Sequence, residues 1–340
     1  MLAQLTRELL NGTGWLYEPK WDGFRALVFW DGEELLIQSR DLRPLGRYFP
    51  EIDSGLRAAL QPGVVLDGEI VIAGPNGLDF DALLQRIHPA ESRVQLLARE
   101  TPASFVAFDL LASGTEDLMN VSQAERRDRL EQLVKTAEPP LFMTPATTDR
   151  ELSLNWFEHF EGAGLDGVVA KRLESTYRPG ERVMLKVKHQ RTADCVVGGF
   201  RWNRGQAGTS VGSLLLGLYN ANGILQHVGF TSTFKANEKR ELVAFLEPYR
   251  DPTGTTGFGH GRGPGGPSRW RRGADLDWEP LRPELVCEVA FDHWQGELEW
   301  GRFRHGTTFL RWRPDKPPQQ CTLEQLTFAV PVELREVFDG

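Results

Sequence analysis

The sequence predicts a two-domain chain: an α+β domain of antiparallel sheets and helices over residues 1–188, then a small closed β-barrel over residues 189–340. Three observations predict it. The first part mixes short alternating apolar runs with amphipathic helical stretches, separated by Gly, Pro and Asn turn signals. The pattern changes near Arg191, after which short strands dominate and one helix intervenes. A length of 340 residues, with 40% hydrophobic residues and ten tryptophans, is enough for two cores.

Taken in order, Leu16 to Trp30 reads as β structure interrupted at Lys20–Gly23. Asp31-Gly32 between two alternating apolar runs signals a hairpin, whose second strand ends at Ser39-Arg40-Asp41. Val64 to Ile72 is a further strand, closed by Gly74-Pro75-Asn76-Gly77. A short helix over Phe80–Ile87 and a buried strand over Phe105–Leu111 follow. Ser122 with Glu125 forms a capping box ahead of a charged helix to about Lys135, and a second helix covers Ser153–Gly162. Short strands are predicted at Val168–Lys171 and Met184–Lys188. Beyond Arg191, strands are predicted at Cys195–Trp202, Ser213–Tyr219, Ile224–Phe230, Leu285–Phe291 and Thr308–Arg313, with a helix over Ala236–Leu246. Five strands with one intervening helix suit an OB-fold barrel. Thr253 to Pro267, rich in Gly and Pro, is a loop, and there are no internal repeats.

The formal net charge is −8. Residues 1–190 carry 21 basic and 29 acidic side chains and the rest carry 18 of each, so any basic surface must be local. Cys195, Cys287 and Cys321 are odd in number and far apart, which argues for reduced thiols in a cytoplasm and against a disulfide frame or zinc ribbon. The apolar run at the start is broken by Arg7 and Glu8, too short and charged for a secretion signal or membrane span.

The stretch Glu18-Pro19-Lys20-Trp21-Asp22-Gly23-Phe24-Arg25 sets a lysine between two carboxylates, ahead of a glycine turn and an arginine. In Leu185-Lys186-Val187-Lys188, alternation puts both lysines on one face. That face is either a solvated edge or a phosphate site. Glu69, in the otherwise apolar run after Asp67-Gly68, is either paired or used, as by a ribose hydroxyl. Phe108 is either core or a stacking platform. Arg311 and Arg313 flank Trp312 and share a strand face, and arginine forks match phosphate oxygens. Arg269, Arg271 and Arg272 follow the glycine-rich loop, as a charged tip or as an arm on a DNA backbone.

The order of these elements resembles the ATP-dependent DNA ligases of the covalent nucleotidyltransferase superfamily. The similarity is greatest to the small ligases of the actinobacterial ligase C group and to the ligase domain of bacterial ligase D. Lys20-Trp21-Asp22-Gly23 fits the nucleophile motif, and Ser39-Arg40, Asp67-Gly68-Glu69 and Phe108-Asp109 fit the next elements. Asp166-Gly167-Val168-Val169-Ala170-Lys171, Lys186-Val187-Lys188 and Arg313-Pro314-Asp315-Lys316 complete the series. The fourth motif usually opens with Glu, and Asp166 is one methylene shorter, so a water could bridge it to a metal.

The resemblance implies a nucleotidyltransferase (adenylation) domain followed by an OB domain, and nick sealing in DNA repair or end joining through a lysine–AMP on Lys20. Only nineteen residues precede Lys20, leaving no room for the nicotinamide mononucleotide domain of NAD-dependent relatives, so ATP is the expected cofactor, with Mg²⁺ or Mn²⁺. The amine must be neutral to attack, and the positive charge of Lys186, Lys188 and a metal favours that form. The resemblance assigns the ribose to Glu69, adenine stacking to Phe108 and part of the adenine pocket to Glu18. It places Arg25, Arg40, Arg182, Lys186 and Lys188 on the nucleotide, Glu69 and Asp166 on the metal, and Arg313, Asp315 and Lys316 on pyrophosphate. The OB domain would swing about Lys188-His189-Gln190-Arg191. The implied partners are nicked duplex DNA and a repair polymerase or end-binding protein. The enzyme is expected to be a monomer in the bacterial cytoplasm or nucleoid.

Overall fold

The computed structural model describes all residues except 7, 10, 11, 75, 76, 190, 255–256, 259–262, 265–276 and 327–340, together with the side chains of 161 and 162. The chain divides into two compact units, Met1–His189 and Gln190–Thr327.

The first unit is built on two sheets. One has four strands in the order Leu2–Leu5, Arg182–Val187, Val168–Arg172 and Trp15–Pro19; the first pair is parallel and the others antiparallel. The other runs Leu35–Ser39, Phe24–Trp30, Val64–Gly74, Ala103–Ser113 and Glu116–Asp117, with Gly77–Leu78 and Leu141–Met143 added at the sides. Pro19 and Phe24 thus end strands of different sheets, and the Lys20–Gly23 interruption is the crossing between them. The Asp31-Gly32 hairpin forms as expected. Gly32 takes φ +104, and the Asp31 carboxylate accepts the N–H groups of Glu33 and Glu34.

Alternation along the larger sheet buries Ala26, Val28, Ile37, Leu66, Ile70 and Phe105 in one core, each at 0–1% exposure. Each large side chain among them contributes roughly 1.5–3 kcal/mol. Helices Pro50–Ala59, Phe80–Gln85 and Gln123–Val134 cover that face through Ile52, Leu56, Leu83 and Leu130. Two helices escape the sequence reading. Pro50–Ala59 has proline at its start but Gly55 in its middle, where a Cβ would lie 2.2 Å from Pro140 Cδ. Glu91–Glu100 buries only Val94 and Leu97, too thin a stripe to stand out. The helix expected at Ser153–Gly162 runs Arg150–His159, because Asp149 accepts the Glu151 and Leu152 N–H groups and sets its start. At the Gln123–Val134 helix, Ser122 accepts the Glu125 N–H at 3.3 Å, while the Glu125 carboxylate pairs with Arg129.

Gly68 marks a close approach. A Cβ there would lie 2.4 Å from Phe105 Cζ and 2.6 Å from the Val106 carbonyl, both residues being fully buried. Gly68→Ala is therefore expected to destabilise by about 1–3 kcal/mol through overpacking. Urea denaturation checks this, and an unchanged midpoint would refute it.

Among its described residues the second unit is a six-stranded barrel sheet: five strands run in the order Leu225–Thr231, Val211–Tyr219, Arg191–Trp202, Val286–Phe291 and Thr308–Trp312, with antiparallel neighbours, and the short Glu279–Pro280 also pairs with Arg191–Trp202. It closes where Thr231 bridges Thr307 in parallel, the Thr307 N–H donating to the Phe230 carbonyl at 2.9 Å. In chain order the Ala236–Leu246 helix follows Leu225–Thr231 and precedes Val286–Phe291, which completes the OB-fold. Cys195 and Cys287 are cross-strand partners, and Cys321 joins the same core. The three thiols are free and buried, and burial pushes each above its ordinary value. Scattered in sequence, they are packed together as small hydrophobes. Among the described residues no helix is long and apolar enough to cross a membrane.

Candidate active site

One face of the four-stranded sheet is charged. Leu16 pairs with Lys171, Glu18 with Val169, and Val169 with Lys186, so Glu18, Lys171 and Lys186 lie on one side. The opposite side sends Trp15, Tyr17, Val168, Ala170 and Val187 into a core. Lys20 sits just past the end of its strand. Its N–H donates to the Gly167 carbonyl at 2.8 Å, and the Asp166 N–H donates to the Lys20 carbonyl at 2.9 Å. Gly167, at φ +131, also packs against the neighbouring strand, where a Cβ would lie 2.0 Å from the Val187 carbonyl.

These backbone bonds place Lys20 Nζ 2.7 Å from Asp166 Oδ2, and the Lys188 ammonium pairs with the same oxygen. Lys188 lies one residue beyond its strand, not within it as expected. Burial, then the like charges of Lys188 and Lys20, hold the Lys186 ammonium below the ordinary lysine value. Three ammonium groups around one carboxylate leave a net positive site suited to phosphate.

The larger sheet supplies the other wall. Arg25 is the register partner of Glu69. Glu69 Oε1 accepts the Gly23 N–H at 3.1 Å. Burial pushes the Glu69 carboxyl up to about 8, against the pull of the Lys20 and Arg25 charges. Phe108 lies outside the core, and its strand shows why. Asp67 pairs with Asp109 but Gly68 with Ala107, so Phe108 is the extra residue of a β-bulge. The bulge turns its ring out of the core, with the Arg25 guanidinium 5.6 Å and Lys171 Nζ 5.0 Å from the ring centroid. Arg25 is held by Asp67 at 2.6 and 3.0 Å, and Asp67 also accepts the Tyr177 hydroxyl at 2.8 Å.

Glu18 is buried at 3%, bound by Lys171 Nζ at 2.8 and 3.1 Å. Burial raises its carboxyl, opposed by Lys171 and Arg127. Arg182 opens its strand, exposed, with Nη1 3.3 Å from the Ala3 carbonyl, and its charge reaches Lys186. Arg40 is exposed on the turn after Ser39, 3.7 Å from Asp41.

In the second unit, Arg313 lies just after the Thr308–Trp312 strand and binds Asp194 at 2.8 Å and Asp315 at 2.9 Å; Lys316 is 3.7 Å from Asp194. Arg311 pairs with Glu288, the register partner of Asp194. The two arginines do share a face, but it is an ion-paired row and not a free basic strip. Arg269, Arg271 and Arg272 lie outside the described residues. Lys171, Tyr177 and Arg126 were not singled out for roles, because their partners come from other strands and helices.

Among the described residues no three His, Cys, Asp or Glu side chains group to hold a metal. Glu69 nevertheless fits a shared cation, since its carboxylate is desolvated and the Gly23 N–H offsets only part of that cost.

Residues 1–188 match the family described as ATP dependent DNA ligase domain, and residues 207–316 match the ATP dependent DNA ligase C terminal region. DNA ligase C1 of Mycolicibacterium smegmatis is 47% identical over 345 residues, covering 100% of this chain and 96% of the relative. The multifunctional non-homologous end joining DNA repair protein LigD of Mycobacterium tuberculosis is 31% identical over 324 residues, covering 93% of this chain and 38% of LigD. A solved Lig E DNA ligase shares the fold at a TM-score of 0.55 and 20% identity, over 92% of this chain and 98% of that one. With both of its units matched and its lysine cluster in place, the chain belongs to the ATP-dependent DNA ligase family.

Proposed function

We propose that this chain seals nicks in duplex DNA, joining a 5′-phosphate to a 3′-hydroxyl through a covalent AMP on Lys20. The observation that carries this reading is the Lys20–Asp166–Lys188 cluster at the end of the sheet whose Lys171 contacts Phe108. In the first step Lys20 Nζ attacks the α-phosphorus of ATP, an N–P bond forms, and the bond to the β-phosphate breaks to release pyrophosphate. Asp166, 2.7 Å away, is the nearest acceptor for the proton that Lys20 sheds. Lys186 and Lys188 stabilise charge on the phosphate in flight. In the second step the AMP passes to the 5′-phosphate of the nick and Lys20 regains its proton. In the third the 3′-hydroxyl attacks that phosphate, the phosphodiester forms and AMP leaves.

Glu69 holds the ribose, Phe108 stacks on adenine, and Arg25, Arg40 and Arg182 contact the phosphates and then the nick termini. Glu69 and Asp166 are the residues that would hold Mg²⁺ or Mn²⁺, which would supply charge neutralisation at the α-phosphate. Arg313, Asp315 and Lys316 face pyrophosphate in the first step. The ion pairs they form with Asp194 and with each other hold that row in shape until it is used. The 188–191 segment acts as a hinge between the domains, and Arg269, Arg271 and Arg272 grip the DNA backbone. A role in end joining, with an end-binding protein or polymerase as partner, draws on the likeness to LigD.

The test is incubation with labelled ATP or GTP, then with nicked DNA or nicked RNA. The expected result is an adduct from ATP and sealed DNA. A GTP-only adduct, sealing of RNA alone, or no adduct at all would overturn the assignment.

A further inference from the structure

We propose that Lys171 is the positioning residue of the base pocket: by binding Glu18 and the Phe108 carbonyl together, it holds two sheets at one separation and so sets which base fits. Lys171 lies in the Val168–Arg172 strand of the four-stranded sheet. Its ammonium reaches Glu18 Oε2 at 2.8 Å and Oε1 at 3.1 Å within that sheet. It also reaches the carbonyl of Phe108, in the seven-stranded sheet, at 2.9 Å. Register explains the first contact, since Lys171 pairs with Leu16 and is the diagonal neighbour of Glu18 on the same face. The bulge explains the second, since Phe108 is the extra residue and its carbonyl is released from the ladder.

The ammonium donates hydrogen bonds to Glu18 Oε1 and to the Phe108 carbonyl, and Glu18 Oε2 lies within the same ion pair. Lys171 is 2% exposed, so it has no open side to offer a base. Its influence on the base must therefore run through Phe108 and Glu18. The carbonyl and ring of Phe108 share one Cα, so fixing the carbonyl fixes the height of the stacking platform. Arg127, also buried, places Nη1 3.8 Å from Glu18 Oε1 and adds a second cation on that carboxylate. A buried ion pair is weak as a source of stability but strong as a geometric constraint, because its atoms cannot part without leaving a charge unpaired.

Because the cleft is read as the ATP site with Phe108 as its platform, the test compares variants at both residues. Formation of lysine–AMP is followed against ATP concentration, alone and in competition with GTP. Lys171→Met is expected to raise KM for ATP about tenfold, leave kcat at saturating ATP within about threefold, and lower the preference for ATP over GTP. Lys171→Arg, which keeps the charge, is expected to recover part of the loss. Phe108→Ala should shift KM the same way, and Phe108→Ala with Lys171→Met should add little to Phe108→Ala alone. A wild-type KM and ATP preference in Lys171→Met beside a raised KM in Phe108→Ala would overturn the positioning role and leave the pocket intact. A wild-type KM in Phe108→Ala would instead count against the pocket reading itself. Should Lys171→Met unfold, Lys171→Gln, which removes the charge but keeps a donor, is measured in its place, with the same expected and overturning KM values.

Discussion

Lys20→Ala is expected to form no lysine–AMP and to seal no nicks, a fall of about 10⁴ or more in rate, or ~5 kcal/mol of lost transition-state stabilisation. The nucleophile is the group that takes the AMP, so no neighbour substitutes for it. Lys186 and Lys188 lie close by, and in the proposed mechanism both bind phosphate oxygens. The substitution leaves the fold in place. Lys20 joins the sheet through its backbone bonds to Gly167 and Asp166, which alanine keeps, and its side chain is 19% exposed. Lys20→Arg should be equally inactive, because a guanidinium stays protonated. Intact-protein mass after incubation with ATP reads the result directly, and an AMP-sized increment on the alanine variant would refute the assignment of the nucleophile.

Arg126→Ala is expected to cost about 3–5 kcal/mol of folding stability, the range for removing one partner of a buried ion pair. Arg126 is 0% exposed and Asp109 is 2% exposed. The guanidinium binds Asp109 at 2.8 and 3.1 Å, Gln123 at 2.8 Å, and the carbonyls of Val121 at 2.6 Å and Ser175 at 3.2 Å. Asp109 is moreover the register partner of Asp67. Arg25 balances Asp67 and Arg126 balances Asp109, so losing Arg126 leaves two neighbouring carboxylates with one arginine. Replacing both partners by apolar residues, Arg126→Met with Asp109→Leu, should recover much of the loss, since no charge is then stranded. Urea denaturation separates the cases, and a single variant within about 1 kcal/mol of wild type would refute the account. Asp109 follows Phe108, the proposed stacking platform, so the variant should also raise KM for ATP.

Most elements were legible because their signals are local. The Asp31-Gly32 turn, the long apolar run ending at Ile72 and the Ala236–Leu246 helix each carry their pattern within one segment. Elements without such a pattern escaped. Glu91–Glu100 has a thin apolar stripe, and Pro50–Ala59 contains a glycine that looks like a breaker until Pro140 is seen against it. The candidate site follows the same division. Lys20, Lys186 and Lys188 were readable as residues, but the ion pairs that join Lys20 and Lys188 to Asp166 depend on strands brought together from distant parts of the chain.

By itself the sequence determined the two-part architecture, the barrel with its single helix, the ordered motif series and the lysine at its head. Alternation also predicted one face for Lys186 and Lys188, whereas Lys188 lies just past the end of the strand. Only the tertiary structure decided which faces meet. Phe108 leaves the core because the register between Val64–Gly74 and Ala103–Ser113 slips by one residue beside Gly68. Lys171 reaches across to that bulge from another sheet, and three distant cysteines fall into one core. The physical reason is that periodicity along a strand fixes the side to which a side chain points. Its partner across the strand or sheet depends on register and bulges, which many weak contacts set together.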